Sequence, residues 1–168
     1  MFKLSVLVIV VMLSINSFSQ QGESSTKSER IKFDPNRDAA KDIEDAINQA
    51  KKENKRILLD VGGEWCIWCH RLDEFFETNK DISDFLKENY ILVKVNYSKE
   101  NKNEAVLSKY PPADGYPHFF VLDKNGKLIH SQNTGELEAD KGHDKQKVFN
   151  FLKKYATQKS VEKKSKTH

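Results

Sequence analysis

Hydrophobic residues recur in two patterns along the middle of the chain, one typical of helices and one of strands. Between residues 38 and 54, apolar residues appear every three or four positions, which predicts a helix with one buried face and Asp38 as its N-cap. The apolar run 57–61 has the length of a buried strand. A second helix is predicted from Cys66 to about Glu77. This alternation indicates an α/β domain.

The same patterns continue towards the C-terminus. We predict, in order, a helix over 81–89, a strand over 91–97, a short helix over 103–110, strands over 118–122 and 128–131, a loop over 136–144 and a final helix around 148–155. Asn125-Gly126 lies between the last two strands and suits the positive φ angles of a tight hairpin turn, so these strands should pair antiparallel. The order of the elements favours a mixed sheet with helices on both faces.

The first 19 residues have the composition of a signal peptide. Lys3 precedes a ten-residue apolar core at 4–13, and small residues follow at 17–19. An uncleaved membrane anchor is the alternative, but it would need roughly 20 apolar residues to span a bilayer. We therefore expect a cleaved signal peptide and a periplasmic or secreted protein that is not inserted in the membrane after cleavage.

The two ends of the remaining chain are polar. Residues 20–30 contain no apolar side chain, which predicts a flexible leader. Residues 158–168 are rich in Lys and predict a disordered tail, although such a tail could also touch an anionic membrane or a partner. The domain itself is then expected over residues 31–157, long enough to bury a core.

Charge and cysteine content narrow the class of protein. The chain has 28 Lys and Arg against 25 Asp and Glu, for a net charge of +3, which argues against a nucleic-acid-binding surface. Its two cysteines are Cys66 and Cys69. A secreted scaffold held together by disulfides would need several distant pairs, so this single close pair is not a structural framework.

The motif Cys66-Ile67-Trp68-Cys69 carries the candidate chemistry. It lies where the first predicted strand ends and the second helix begins, and residues three apart share one helix face, so the two sulfurs can bond to each other. Unpaired N–H groups and the dipole at a helix N-terminus favour a thiolate. Cys66 is therefore the expected nucleophile, and Cys69 is the expected resolving thiol, which closes the disulfide.

These residues also carry a family resemblance. The segment RILLDVGGEWCIWC resembles the strand and active-site helix of the thioredoxin superfamily, and the similarity continues through Gly115-Tyr116-Pro117 and the strand HFFVLD. It covers about Ile31 to Tyr155 and is most similar to the thioredoxin-like domains of bacterial envelope protein-disulfide reductases. The resemblance implies an α/β thioredoxin-like fold with a mixed central sheet of four to five strands.

The resemblance implies further site residues. Pro117 would form a cis peptide bond facing the cysteines. Asp60 would be a buried carboxylate that takes the proton from Cys69, although a surface carboxylate or a helix cap is the alternative. Trp68 could instead be a packing residue. The implied substrate-binding surface comprises Trp65, Trp68, Tyr116 and Pro117.

The expected function is reduction of disulfides in other proteins by an exported monomer, with a membrane thiol reductase as the candidate electron donor. A buried carboxylate near the thiols favours a reductase over an oxidant. A binding or chaperone module without turnover is the alternative. Cys66-x-x-Cys69-His70 also fits c-type haem attachment, but no Met remains after signal cleavage to serve as the opposite ligand. We expect no cofactor and no metal, because zinc needs about four clustered ligands.

Overall fold

A mixed sheet of four strands forms the centre of the computed structural model, which describes residues 30–157. The predicted signal peptide, nearly all of the leader and the Lys-rich tail lie outside these described residues. The strands are β1 (Arg56–Gly62), β2 (Tyr90–Asn96), β3 (His118–Leu122) and β4 (Leu128–Asn133). They lie in the order β2-β1-β3-β4, with β1 parallel to β2 and the other pairs antiparallel. The predicted mixed sheet is therefore confirmed.

Five helices accompany the sheet within residues 30–157. They are α1 (Ala39–Glu53), α2 (Ile67–Thr78), α3 (Lys80–Asn89), α4 (Glu104–Leu107) and α5 (Lys145–Tyr155). Asp38 caps α1 as predicted, because its side chain accepts the N–H groups of Ala40 and Lys41 at 2.9 and 3.1 Å. None of the helices in this part of the chain is both long and apolar enough to cross a bilayer.

The two faces of the sheet pack against different helices. Side chains Ile57, Leu59 and Val61 of β1 belong to the core that α1 covers. Leu58 belongs to the opposite core, which contains the apolar faces of α2, α3 and α5. Because side chains alternate along a strand, Asp60 lies on the same face as Leu58. The alternation thus brings the Asp60 carboxylate to the side of the sheet that carries α2.

The hairpin between β3 and β4 is antiparallel, as the sequence predicts. Its connection is longer than a two-residue turn, since Asp123 N–H donates to the carbonyl oxygen of Lys127 at 2.8 Å. Only Gly126 of the predicted Asn125-Gly126 pair has a positive φ, at +86°. A residue with a Cβ would be strained there, which explains the glycine.

Two predicted elements differ from the structure. The helix expected over 103–110 is regular only from Glu104 to Leu107. The N–H groups of Lys109 and Tyr110 donate to carbonyl oxygens three residues earlier, which is the 3₁₀ pattern. The loop expected over 136–144 contains short regular elements: a 3₁₀ turn at Thr134–Leu137 leads into the paired strands β5 (Glu138–Ala139) and β6 (Gly142–His143). Strand β6 lies against α2, where the His143 ring contacts Trp68 at 6.0 Å between centroids.

Candidate active site

Cys66 and Cys69 form a disulfide at the start of α2. Cys66 is the N-cap residue, and its sulfur accepts the N–H of Cys69 at 3.1 Å. The exposed fraction is 4% for Cys66 and 1% for Cys69, so both residues are buried and Cys66 is slightly the more exposed. After reduction, the same N–H group would stabilise a thiolate on Cys66, because an N–H donor at a helix N-terminus favours negative charge.

Two large apolar side chains flank Cys66 at the surface. Trp65 is 59% exposed and Ile67 is 60% exposed, although both are hydrophobic. The indole N–H of Trp65 donates to the carbonyl oxygen of Tyr97 at 2.7 Å, which fixes the ring at the edge of the site. Exposed hydrophobic side chains beside a reactive pair are typical of a surface that receives another protein.

The Tyr116–Pro117 peptide bond is cis, as the resemblance implies. The Tyr116 ring packs edge-on against Trp65, at 5.8 Å between centroids, and stacks on Tyr97 at 4.7 Å. On the other side, the Thr134 hydroxyl donates to the carbonyl oxygen of Pro117. The structure therefore brings Trp65, Tyr116 and Pro117 together, while their role in substrate binding stays a prediction.

Trp68 has a different environment from Trp65. Its ring is partly buried, with the Arg71 guanidinium 4.4 Å above the ring centroid and His143 packed edge-on. It also packs against the buried cluster formed by Phe33 and the two cysteines. Trp68 is thus held by packing contacts on several sides, and its assignment to the substrate-binding surface remains a prediction.

Asp60 is buried, with an exposed fraction of 2%. Burial raises the pKa of its carboxyl group, and the ammonium of Lys94, 3.0 Å from Oδ2, opposes this without cancelling it. The other oxygen, Oδ1, is buried and has no hydrogen-bond partner within residues 30–157. A carboxylate in this state is suited to take up a proton.

Gly62 shows on which side of the strand Asp60 lies. A Cβ at Gly62 would stand 2.5 Å from the sulfur of Cys69, so this sulfur lies against that face of β1. Residues 60 and 62 point to the same face of the strand. Asp60 therefore lies on the Cys69 side of the sheet, two residues before Gly62 in β1, which is consistent with its expected role.

Sequence reasoning missed two charged residues beside Asp60. Lys94 on β2 pairs with both Asp60 and Asp73, the latter at 2.5 Å on α2. Burial alone would lower the pKa of Lys94, but the two carboxylates outweigh it and raise that pKa. Both residues carry a sequence signal: Lys94 interrupts the apolar run of a predicted strand, and Asp73 follows Cys69 by four positions on one helix face.

The segment before α1 also belongs to the site. Arg30, which the sequence assigns to the leader, pairs with Asp73 at 2.8 Å and with Glu64. Phe33 N–H donates to Glu64 Oε1 at 2.8 Å, and the buried Phe33 ring packs against both cysteines. The Lys94 ammonium lies 4.1 Å from the centroid of the same ring. An N-terminal strap, residues 30–33, therefore covers the region between the cysteines and the buried charges.

An apolar groove continues the site beyond Trp65. It has a volume of about 690 Å³ and lies between the segment before α1 and the residues that follow β2. Its lining includes Phe33, Pro35, Trp65 and Tyr97. The groove extends the exposed surface beside Trp65, and its lining also includes the charged residues Glu64, Lys99, Glu100 and Lys102.

The residues of the haem-attachment alternative have other partners in the structure. The two sulfurs are bonded to each other, and His70 Nε2–H donates to the carbonyl oxygen of Glu64 at 2.9 Å. Within residues 30–157, no three His, Cys, Asp or Glu side chains are grouped as metal ligands. The expectation that the protein carries neither haem nor metal stays a prediction.

The comparison with known families agrees with this geometry. The Thioredoxin-like family model matches residues 38–124, just over half of the chain, and includes both cysteines. The chain belongs to the thioredoxin-like family. The resemblance stated from the sequence is therefore confirmed, and so is the fold that it implies.

Individual relatives cover different parts of this thioredoxin-like chain. Spermatogenesis-associated protein 20 of Mus musculus is 45% identical over 70 residues, which are 42% of this chain and 9% of that protein. Disulfide bond reductase DsbH of Chlamydia pneumoniae is 24% identical over 94 residues, 51% of this chain and 56% of that protein. The chain thus spans less than a tenth of the first relative and just over half of the second.

A solved structure gives a broader match. The disulphide isomerase of Xylella fastidiosa Temecula1 superposes with a TM-score of 0.63 at 26% identity, over 73% of this chain and 94% of that chain. Nearly the whole of that chain therefore has a counterpart in this one.

Proposed function

We propose that this protein is an exported thiol-disulfide oxidoreductase that reduces disulfides in other proteins. The observation that carries the proposal is the Cys66–Cys69 disulfide at the N-terminus of α2, where Cys69 N–H donates to the Cys66 sulfur beside the exposed Trp65. The names of the relatives, which include a disulfide bond reductase, support the same reaction class.

The reaction begins from the reduced dithiol. The Cys66 thiolate attacks one sulfur of a substrate disulfide, forms a mixed disulfide and releases the first substrate thiolate. Cys69 then loses its proton and attacks the Cys66 sulfur, which breaks the mixed disulfide and releases the second substrate thiolate. The substrate gains two electrons and the protein is left with the Cys66–Cys69 disulfide, the state that the structure has.

Asp60 is the proposed acceptor of the Cys69 proton. Its carboxylate lies on the Cys69 side of β1, and its oxygen Oδ1 is free of protein partners within residues 30–157. Since burial raises its pKa, the carboxylate is a stronger base than an exposed Asp and is better matched to a thiol proton at neutral pH.

The proposed direction is reduction. A buried carboxylate disfavours a thiolate nearby, so the reduced form gains less than it does in a strong oxidant. A reducing couple must itself be re-reduced, and a membrane thiol reductase is the proposed donor outside the cytoplasm. Export rests on the composition of residues 1–19, and N-terminal sequencing of the secreted protein is the experiment that checks it.

A pair of cysteine variants tests the reaction. Cys66→Ser should abolish reduction of an insulin disulfide, while Cys69→Ser should accumulate a mixed disulfide through Cys66 that gel electrophoresis without reductant detects. Trapping through Cys69 in the Cys66→Ser variant would reverse the assignment. A wild-type dithiol that does not react with any disulfide would favour the alternative of a binding or chaperone module.

Equilibration against glutathione buffers tests the direction. We expect a reduction potential nearer to the roughly −270 mV of thioredoxin than to the roughly −120 mV of a dedicated oxidase. A value above about −150 mV would instead make the protein a disulfide donor.

A further inference from the structure

The buried charges beneath the cysteines form one connected set that reaches the surface through the N-terminal strap. We call Glu64, Arg30, Asp73, Lys94 and Asp60 the ionic chain, in the order in which they contact one another. Exposure falls steadily along it, from 39% for the Glu64 side chain through 24% for Arg30 to 8%, 4% and 2% for the last three. The ionic chain therefore extends from the solvent-exposed Glu64 to Asp60, the proposed proton acceptor.

The three buried members of the ionic chain include two carboxylates and one ammonium. Asp60 and Asp73 share the single ammonium of Lys94, so with both carboxylates ionised the three buried groups carry a net charge of −1. On β3, the residue paired with Asp60 is the uncharged Phe119, which supplies no compensation. Arg30 supplies this compensating positive charge from the less buried part of the ionic chain, through its contact with Asp73 at 2.8 Å.

Hydrogen bonds to two carboxylates hold the Arg30 side chain in this position. One terminal nitrogen donates to both Asp73 and Glu64, and the other donates to Glu64. Hydrogen bonds to Glu64, and then to Asp73, hold the pKa of Arg30 above its usual value, so its charge is permanent. The Phe33 N–H bond to the same Glu64 fixes the strap on which Arg30 stands.

We infer that Arg30 is a positioning residue that sets, through Asp73 and Lys94, how readily Asp60 takes up a proton. While Arg30 holds Asp73, the Lys94 ammonium remains shared with Asp60 and keeps that carboxylate available in its ionised, basic form. Without Arg30, the buried net charge of −1 has no counter-charge, and Asp60 should hold a proton up to a higher pH. The inference rests on the proposed role of Asp60 for its consequence in the reaction, but not for its physical basis.

The test is a titration of Asp60 in the oxidised full chain, where neither cysteine carries a titrating thiol. The carboxyl carbon of Asp60 is followed by nuclear magnetic resonance against pH and is assigned by its loss in Asp60→Asn. Arg30→Gln should raise the midpoint by about one pH unit, the low end for an opposite charge nearby, since Arg30 acts through a neighbour. Arg37→Gln is the matched control, because Arg37 pairs with Asp42 at the surface, and it should leave the midpoint in place.

Two further variants keep the test decisive if Arg30→Gln fails to fold. Arg30→Lys retains the charge and should restore most of the wild-type midpoint. Glu64→Gln removes the carboxylate that neutralises part of Arg30, while its amide oxygen can still accept the Phe33 N–H, and it should move the midpoint downwards. Opposite shifts for Arg30→Gln and Glu64→Gln are a signature that a merely structural role would not give.

The outcomes separate this inference from the proposed function. An unchanged Asp60 midpoint in folded Arg30→Gln, or in Glu64→Gln, overturns the inference whatever the activity of the protein. A shifted midpoint supports the inference, and the pH profile of mixed-disulfide release by the same variant should then shift with it. If the midpoint moves and the release profile does not, Arg30 still acts on Asp60, and it is the role of Asp60 as proton acceptor that fails.

Discussion

The two faces of strand β1 differ in chemistry although they belong to the same seven residues. Towards α1, Ile57, Leu59 and Val61 are fully buried in a core without a charged group from the strand. Towards α2, Leu58 is followed by Asp60, which pairs with Lys94, and then by Gly62, which leaves room for the Cys69 sulfur. The face towards α1 presents only apolar side chains to the core. The face towards α2 has a charged side chain at Asp60 and no side chain at Gly62, and so makes fewer apolar contacts.

The charged groups on the α2 face of β1 add little to the stability of the fold. A buried ion pair contributes little net stability, because desolvation of the two charges offsets their attraction. Apolar side chains of similar volume would hold the sheet and α2 together at least as well. The charges on the α2 face are therefore better explained by the chemistry of the cysteines than by folding. The apolar core between β1 and α1 supplies the stability that the charged face does not.

The largest expected effect comes from Lys94→Met, which removes the cation that contacts Asp60 directly within residues 30–157. Leaving a buried charge without its partner costs about 3–5 kcal/mol, so the free energy of unfolding should fall by that amount at pH 7. Denaturation in urea at a series of pH values measures it. Lys51→Met, at an exposed position of α1, is the control and should change little.

The pH dependence of Lys94→Met has a defined sign. Burial already raises the pKa of Asp60, and loss of Lys94 raises it further, so the folded protein binds a proton more readily than the unfolded chain. Stability then falls as pH rises above the usual Asp pKa of about 3.9. The variant should recover part of its loss between pH 7 and pH 4, and a deficit that is constant over this range would contradict buried charge as its cause.

Leu59→Ala probes the apolar face. Truncation of a fully buried Leu should lower the free energy of unfolding by about 3 kcal/mol, within the usual range for such changes, and leave the reduction potential unchanged. Leu58→Ala is the matched variant on the other face, in the same core as Leu72 of α2, and should cost a similar amount while also shifting the potential. Equal potentials in the two variants would mean that the faces are not functionally distinct.

Local features and the mixed sheet of this molecule were predictable from sequence and resemblance, and the buried ion pairs were not. The Asp38 cap and the pairing of Cys66 with Cys69 follow from nearby residues, and the family resemblance implies the buried Asp60. The ion pairs of Lys94 with Asp73 and of Arg30 with Asp73 join residues 21 and 43 positions apart. The contact of Lys94 with Asp60 depends on the parallel register of β1 and β2, which the periodicity of either strand alone does not specify.

The Arg30 strap shows why polar composition can mislead. The sequence places Arg30 at the end of a run without apolar residues, which is typical of a flexible segment. Its position is fixed instead by two carboxylates on other elements and by Phe33 three residues later. Trp68 has packing contacts with Arg71 and with the cluster around the cysteines, while its assignment to the substrate-binding surface stays a prediction.

Asp60→Asn should change rate more than stability. Loss of a proton acceptor should slow release of the mixed disulfide by about 10²-fold at pH 7, the low end of acid–base effects, while the near-ultraviolet circular dichroism stays native. In wild type the release rate should rise with pH as Asp60 ionises, and this rise should be missing in the variant. Stopped-flow measurement with a preformed mixed disulfide gives both results, and an unchanged rate would leave Asp60 with a structural role only.

Gly62→Ala has the smallest expected effect and acts by space alone. The added Cβ would lie 2.5 Å from the Cys69 sulfur and 3.1 Å from the Phe33 ring, so overpacking should cost about 1–3 kcal/mol. The oxidised form should bear more of this cost, because a free Cys69 thiol can rotate away whereas a bonded sulfur cannot. The reduction potential should therefore rise, by about 30 mV for every 1.4 kcal/mol of difference between the two forms. Gly142→Ala, where a Cβ meets open space, is the control, and an unchanged potential in Gly62→Ala would mean that movement of Phe33 relieves the crowding equally in both forms.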